Sequence, residues 1–133
     1  MAAGSRRAIN TDAAPPPVGP YSQSILSNGF LFVAGQLGVD PATKKLAGGG
    51  IAPQTEQALK NLKAIVEAAG ASLDSVVKTT VFMADFNEFA QMNAVYATFF
   101  GGDAPARSTF QVARLPLDGA VEIEAIVSVA QQN

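Results

Sequence analysis

The run from Ser75 to Ala84 constrains the fold most. Val76, Val77, Thr79, Thr80, Val81 and Phe82 are nearly all β-branched or aromatic, so neither face of this extended segment is polar. A strand of that kind belongs in the middle of a sheet with both faces covered. The covers must come from 133 residues, the size of one domain, of which 48% are hydrophobic and 15% charged. That is enough apolar surface to offset chain entropy.

The rest of the pattern supplies two helices and further strands. Tyr21 to Ile25 and Phe30 to Ala34 are β-prone, and Ser27-Asn28-Gly29 between them is a tight-turn signal, which predicts a hairpin. Gly35 to Gly50, with Asp40-Pro41 and three consecutive glycines, reads as a long loop with room for one short strand. Leu59, Leu62, Val66 and Ala69 recur at three- and four-residue steps, predicting a helix over Gln54 to Ala69 that stops at Gly70. A second helix is expected from Asp85, capped with help from Glu88, with Phe89, Met92, Tyr96 and Phe99 as its apolar stripe and Gly101-Gly102 as its end. Ala106 to Leu115 and Val121 to Ala130 read as strands joined by a hairpin-like link, Pro116 to Gly119.

These elements predict an α+β fold, a mixed six-stranded sheet with both helices on one face. Two helices cannot cover both faces, so the open face is expected to be buried by another subunit. The opening residues 1–17, with many small residues, Arg6, Arg7 and a proline cluster, read as a flexible lead-in to a single domain over residues 18–133. That basic opening faintly resembles a trimmed organelle-targeting segment, but its short length and lack of a clear amphipathic helix favour an ordinary frayed terminus. The expected compartment is the cytoplasm, with a chloroplast or mitochondrion as the alternative.

The chain contains no Cys, no His and no Trp. A disulfide, a thiolate nucleophile, a Ser-His-Asp triad and an imidazole metal ligand are all excluded. Proton transfer falls to carboxylates, Lys, Tyr, water or the substrate. Nine basic against eleven acidic residues give a net charge of −2, the wrong sign for general attraction to phosphate backbones. Neither a membrane span nor a phosphate-binding loop is written in the sequence.

Charges inside apolar strands need partners, which singles out Arg107, Arg114, Glu122 and Glu124. Arg114 is expected to pair across strands with Glu122 or Glu124. Arg107 follows Pro105 at the start of a strand, and alternation sets it beside Thr109 and Gln111, opposite Ser108, Phe110 and Val112. A guanidinium fork among small polar groups suits a carboxylate. Tyr21 reads as a half-buried strand aromatic or a pocket wall, Asn93 as a partner to a neighbouring loop, and Tyr96, Phe99 and Phe100 as core.

Several motifs in one order resemble the Rid family of reactive intermediate/imine deaminases, formerly YjgF, in its RidA branch. They are Gly19 to Gln23, Ala34-Gly35-Gln36, Gln57 to Gly70, Val77 to Phe82, Met92 to Tyr96 with Phe99-Phe100, Pro105 to Ser108, Val112 to Pro116 and Val121 to Ala125. The resemblance implies a chorismate-mutase-like fold, a homotrimer with ligand clefts between subunits, and no cofactor or metal. It also implies hydrolysis of 2-aminoacrylate and 2-iminobutanoate, products of pyridoxal-phosphate-dependent serine and threonine dehydratases, to 2-oxo acids and ammonia. By position, Arg107 matches the arginine that binds the substrate carboxylate and Glu122 the acid that handles water. Tyr21, Asn93, Ala34, Gly35 and Thr109 match pocket positions. Thr109 stands where many relatives have Cys and Ala34 where they have Ser, so a ligand contact through a side-chain hydroxyl is lost at Ala34.

A simple hairpin would set Glu122 opposite Ala113, roughly 20 Å from Arg107 at about 3.4 Å per residue. Either these strands do not pair that way or the two residues meet across a subunit boundary. Two other functions stand beside the deaminase: a single-strand endoribonuclease or translation inhibitor, which the absence of His and the net charge disfavour, and a non-catalytic carboxylate-binding or chaperone-like trimer. The dehydratase enters as a functional link rather than as a stable partner, and neither nucleic acid nor membrane is expected as one.

Overall fold

The computed structural model describes residues 4–130 and contains a mixed six-stranded sheet with two α-helices on one face. In chain order the strands are β1 (Arg7–Ile9), β2 (Ser24–Ser27), β3 (Phe30–Leu37), β4 (Val76–Met83), β5 (Ala106–Gln111) and β6 (Val121–Ser128), and the helices are α1 (Ile51–Ala68) and α2 (Phe89–Tyr96). The spatial order is β1-β2-β3-β6-β4-β5, antiparallel throughout except for the parallel pair β4 and β5.

Local chemistry accounts for most boundaries. Asn28 and Gly29 both take positive φ, 52° and 80°, which twists the β2–β3 connection to match its strands. The first helix starts three residues before the expected Gln54, because Pro53 lies in its first turn, where a missing N–H costs nothing. The second helix is shorter than expected. Residues Phe86–Glu88 form a tighter 3₁₀ turn, and the Asp85 carboxylate accepts from the Asn87 N–H at 2.9 Å.

Two elements differ from expectation in ways that matter for the site. The sixth strand lies in the opening segment, not in the loop after Gly35: Arg7–Ile9 pairs with Ser24–Leu26 at the sheet edge. Residues 1–3, within the lead-in expected from the sequence, lie outside the described residues. The buried Gln23 side chain ties the following stretch down, donating to the carbonyls of Thr11, Ala14 and Pro15 and accepting from the Thr11 N–H. Gln23→Ala leaves those backbone groups without partners, so we expect unfolding in denaturant to show a loss of about 2–4 kcal/mol.

The second difference is that β5 and β6 do not form a hairpin, since β4 lies between them and pairs with both. Arg114 therefore never meets Glu122 or Glu124. Its guanidinium bonds Asp118 at 2.8 Å on the surface.

The core lies between the sheet and α1. Ala58, Leu59, Leu62, Ile65 and Val66 are fully buried against Leu31, Val33, Val81, Met83, Ile123 and Val127. The opposite sheet face carries Phe30, Phe32 and Phe110, which are 43%, 46% and 47% exposed. Among the described residues, no helix is long and apolar enough to cross a membrane.

Candidate active site

Arg107 and Glu122 lie on opposite faces of the sheet. Arg107 pairs in register with Thr79, which is fully buried on the helix side and shares a hydrogen bond of 2.8 Å with the Tyr96 hydroxyl of α2. Glu122 pairs with Phe82, whose neighbours Val81 and Met83 point into the core, so Glu122 and Phe82 face the other way. Three residues along β4 and two strand spacings separate the pair, about 14 Å between backbones. The strands do not pair as a simple hairpin, the first of the two alternatives, and the pair is still held apart because β4 stands between the two strands.

The Arg107 half is built by β5 and α2. The guanidinium carbon lies 4.7 Å from the Tyr96 ring centroid and 5.6 Å from that of Phe89. Helical spacing puts Asn93 on the same side as both rings. Among the described residues Arg107 has no carboxylate within ion-pair distance. The Asn93 Oδ1 and Thr109 Oγ1 atoms are buried without a hydrogen-bond partner. A buried polar atom left open costs stability; the Asn93 oxygen can only accept and the Thr109 hydroxyl can do either, so together with the unpaired Arg107 they suit a ligand that carries both a negative group and an N–H or O–H donor. Burial pushes the Tyr96 phenol above its ordinary pKa, against the opposing effects of Thr79 and Arg107, and the phenol stays neutral.

The Glu122 half is built by β3 and β6. The β3–β6 register slips between Val33 and Gln36, placing Ala34 and Gly35 in a bulge. A Cβ on Gly35 would sit 2.8 Å from the Glu122 carboxyl carbon, so only glycine leaves room for this carboxylate. Burial, and then the charge of Glu124, raise the Glu122 pKa above the usual carboxylate range. Beside the bulge, the Ala34 N–H donates to the Gln23 carbonyl at 2.9 Å. That contact holds the segment just after Tyr21 against the bulge; Tyr21 itself lies ahead of β2, half-exposed, with its hydroxyl accepting from the Val18 N–H at 3.3 Å.

The seven residues singled out from the sequence thus divide into two groups, Arg107, Asn93 and Thr109 against Glu122, Gly35, Ala34 and Tyr21. One copy does not bring the groups together. Two concavities lie away from both groups, one among Asn10, Asp12, Pro17, Gln23 and Lys44 and another between the helices beside Glu56 and Thr98. Phe89 and Tyr96 were not singled out. An aromatic stripe at helical spacing reads as core, and only the parallel β4–β5 register shows that an arginine lies across it.

A family model described as Endoribonuclease L-PSP matches residues 11–129. The crystal structure of the E. coli YjgF gene product superposes with a TM-score of 0.88 at 45% identity, covering 92% of this chain and 98% of that one. The chain belongs to the Rid family. Among Rid-family relatives, the RutC family protein PH0854 of Pyrococcus horikoshii is 53% identical over 91% of this chain and 96% of its own length. The 2-iminobutanoate/2-iminopropanoate deaminase of Rattus norvegicus is 48% identical over 91% of this chain and 88% of its own length.

Proposed function

We propose that this Rid-family chain is an imine deaminase that hydrolyses 2-aminoacrylate, its tautomer 2-iminopropanoate, and 2-iminobutanoate to 2-oxo acids and ammonia. The observation that carries the reading is Arg107, a cation at the start of a strand, stacked on aromatic rings and unpaired with any acid of its own chain among the described residues. Its free N–H edges suit a bidentate carboxylate. The substrates of the rat relative, as its name gives them, carry such a group.

The chemistry asks little of the protein, because a C=N carbon is already electrophilic. Water adds to that carbon, the C=N π pair moves to nitrogen, and Glu122 takes the proton from water and passes it to the amine. The resulting carbinolamine gives up its hydroxyl proton to Glu122, the amine is protonated in turn, and the C–N bond breaks to release ammonia as the C–O bond becomes the ketone. A carboxylate whose pKa is raised is a stronger base for taking the proton from water and can return it, so neither imidazole nor a cofactor is required.

The active unit is a homotrimer, in which the Arg107 half of one copy faces the Glu122 half of the next. Two features support it. The two halves lie on opposite sheet faces, and Phe30, Phe32 and Phe110 leave the outer face apolar. Phe32→Glu sets a charge in that apolar contact, so sedimentation should show monomers and imine hydrolysis should disappear with the trimer.

The activity is tested by coupling the purified protein to a threonine dehydratase, with semicarbazide competing for the imine. Faster release of 2-oxobutanoate is the expected result. Binding of 2-oxo acids by a trimer that gives no acceleration would favour a carboxylate-binding module instead. The description of the family model favours a nuclease, yet the chain brings no His and a net charge of −2 to that task. RNA cleavage that survives repurification and is lost in Arg107→Ala would favour it. The dehydratase that would supply the substrate is a functional link, and the site needs no stable complex with it.

A further inference from the structure

Arg107 lies within a continuous stack of five groups. The Phe100 and Tyr96 rings are 4.7 Å apart, Tyr96 is 4.7 Å from the guanidinium, the guanidinium is 5.6 Å from Phe89, and Phe89 stacks on Phe86 at 4.8 Å. The stack is fastened on both sides of Arg107. The Tyr96 hydroxyl is tied to the buried Thr79 of β4, and the Phe86 N–H donates to Gln111 Oε1 at 2.8 Å, on the same face of β5 as Arg107.

This arrangement has a chemical consequence. A guanidinium held by a carboxylate spends its N–H edges, whereas one held by aromatic rings spends its π face and keeps those edges for a ligand. We propose that Tyr96 is the positioning residue of the site: its ring, anchored through Thr79, sets the orientation of the Arg107 guanidinium, with Phe89 as the second wall. The proposal rests on the reading of Arg107 as the carboxylate anchor. Tyr96 itself touches no reacting atom. Its contribution is to ligand affinity, by sparing the arginine the loss of side-chain freedom that binding would otherwise impose.

The test uses the full chain with Tyr96→Leu, which removes the aromatic face, and Tyr96→Phe, which keeps the face and removes the hydroxyl with its Thr79 bond and its interaction with Arg107. Calorimetry with 2-oxobutanoate reads binding, the dehydratase-coupled assay reads turnover, and sedimentation reports assembly. Tyr96→Leu is expected to raise both Kd and KM about tenfold with kcat within about threefold of wild type, while Tyr96→Phe recovers most of the affinity. Phe89→Leu, at the more open wall, should shift Kd in the same direction by about threefold and serves if Tyr96→Leu fails to assemble.

An assembled Tyr96→Leu protein with unchanged Kd would overturn the proposal. So would a Tyr96→Phe protein as impaired in binding as the Leu variant. The calorimetric arm is independent of turnover, so wild-type protein that binds 2-oxobutanoate without hydrolysing imines would remove the deaminase reading and leave the role of Tyr96 to be decided by Kd alone.

Discussion

Arg107→Ala is expected to abolish imine hydrolysis, lowering kcat/KM by about 10²–10³-fold in a protein that still folds and assembles. A bidentate, charge-assisted pair in a site closed from water contributes several kcal/mol. Arg107→Lys should recover only a small part, because an ammonium restores the charge without the planar fork or the flat face that stacks on Tyr96 and Phe89. The loss should appear in KM and in 2-oxobutanoate affinity as well as in kcat. Retained hydrolysis by an assembled Ala variant would remove Arg107 from the mechanism.

Glu122→Gln should lower kcat by about 10²–10³-fold with KM nearly unchanged, since the amide fills the same space and cannot take a proton from water. The wild-type rate should fall as pH drops through a pKa above the ordinary carboxylate range, as burial and Glu124 dictate, and the residual rate of the variant should lose that limb. Stability carries the opposite sign. The folded state holds the Glu122 proton more tightly than the unfolded chain does, so the ionised group is a net cost at neutral pH that is relieved on acidification. Glu122→Gln should therefore be at least as resistant to heat at neutral pH as wild type while being far less active. Gly35→Ala reaches the same residue from outside: its Cβ, 2.8 Å from the carboxyl carbon, forces the side chain aside and should depress kcat with the carboxylate still present. A Glu122→Gln enzyme with near-normal kcat would show that water is activated by another group.

What could be read in advance follows the range of the interactions. The helix at Leu59, Leu62 and Val66 and the buried strand at Val76 to Phe82 rest on periodicity and composition within a few residues, and both stand in the structure. Alternation along β5 likewise set Arg107 beside Thr109 and Gln111, opposite Ser108 and Phe110, which is where the contacts of Tyr96, Phe86, Lys78 and Phe82 place them. Strand order is not a local property. Pro116 to Gly119 has the chemistry of a turn whether or not its flanking strands are neighbours, and only β4 entering between them settles the matter. A three-residue edge strand at Arg7–Ile9 is too short to carry a period and lies beside a proline cluster. For the site, the residues alone pointed to Arg107. Glu122 stood out only as a charge in an apolar strand, and its role, like the choice of Gly35, Tyr21 and Asn93, rested on family resemblance, because a bulge, a buried carboxylate and an open amide oxygen exist only once the sheet is assembled.

The central claim is that one site takes Arg107 from one copy and Glu122 from another, and mixing two inactive variants tests it most directly. Arg107→Ala and Glu122→Gln proteins, unfolded and refolded together in equal amounts, yield mixed trimers that each contain one junction with both residues intact, so about a quarter of all sites should be wild type. Recovery of about a quarter of wild-type imine hydrolysis from two inactive parents is the predicted result. Mixed trimers, shown by mass to have formed, that stay as inactive as their parents would mean that the two residues never share a site across subunits.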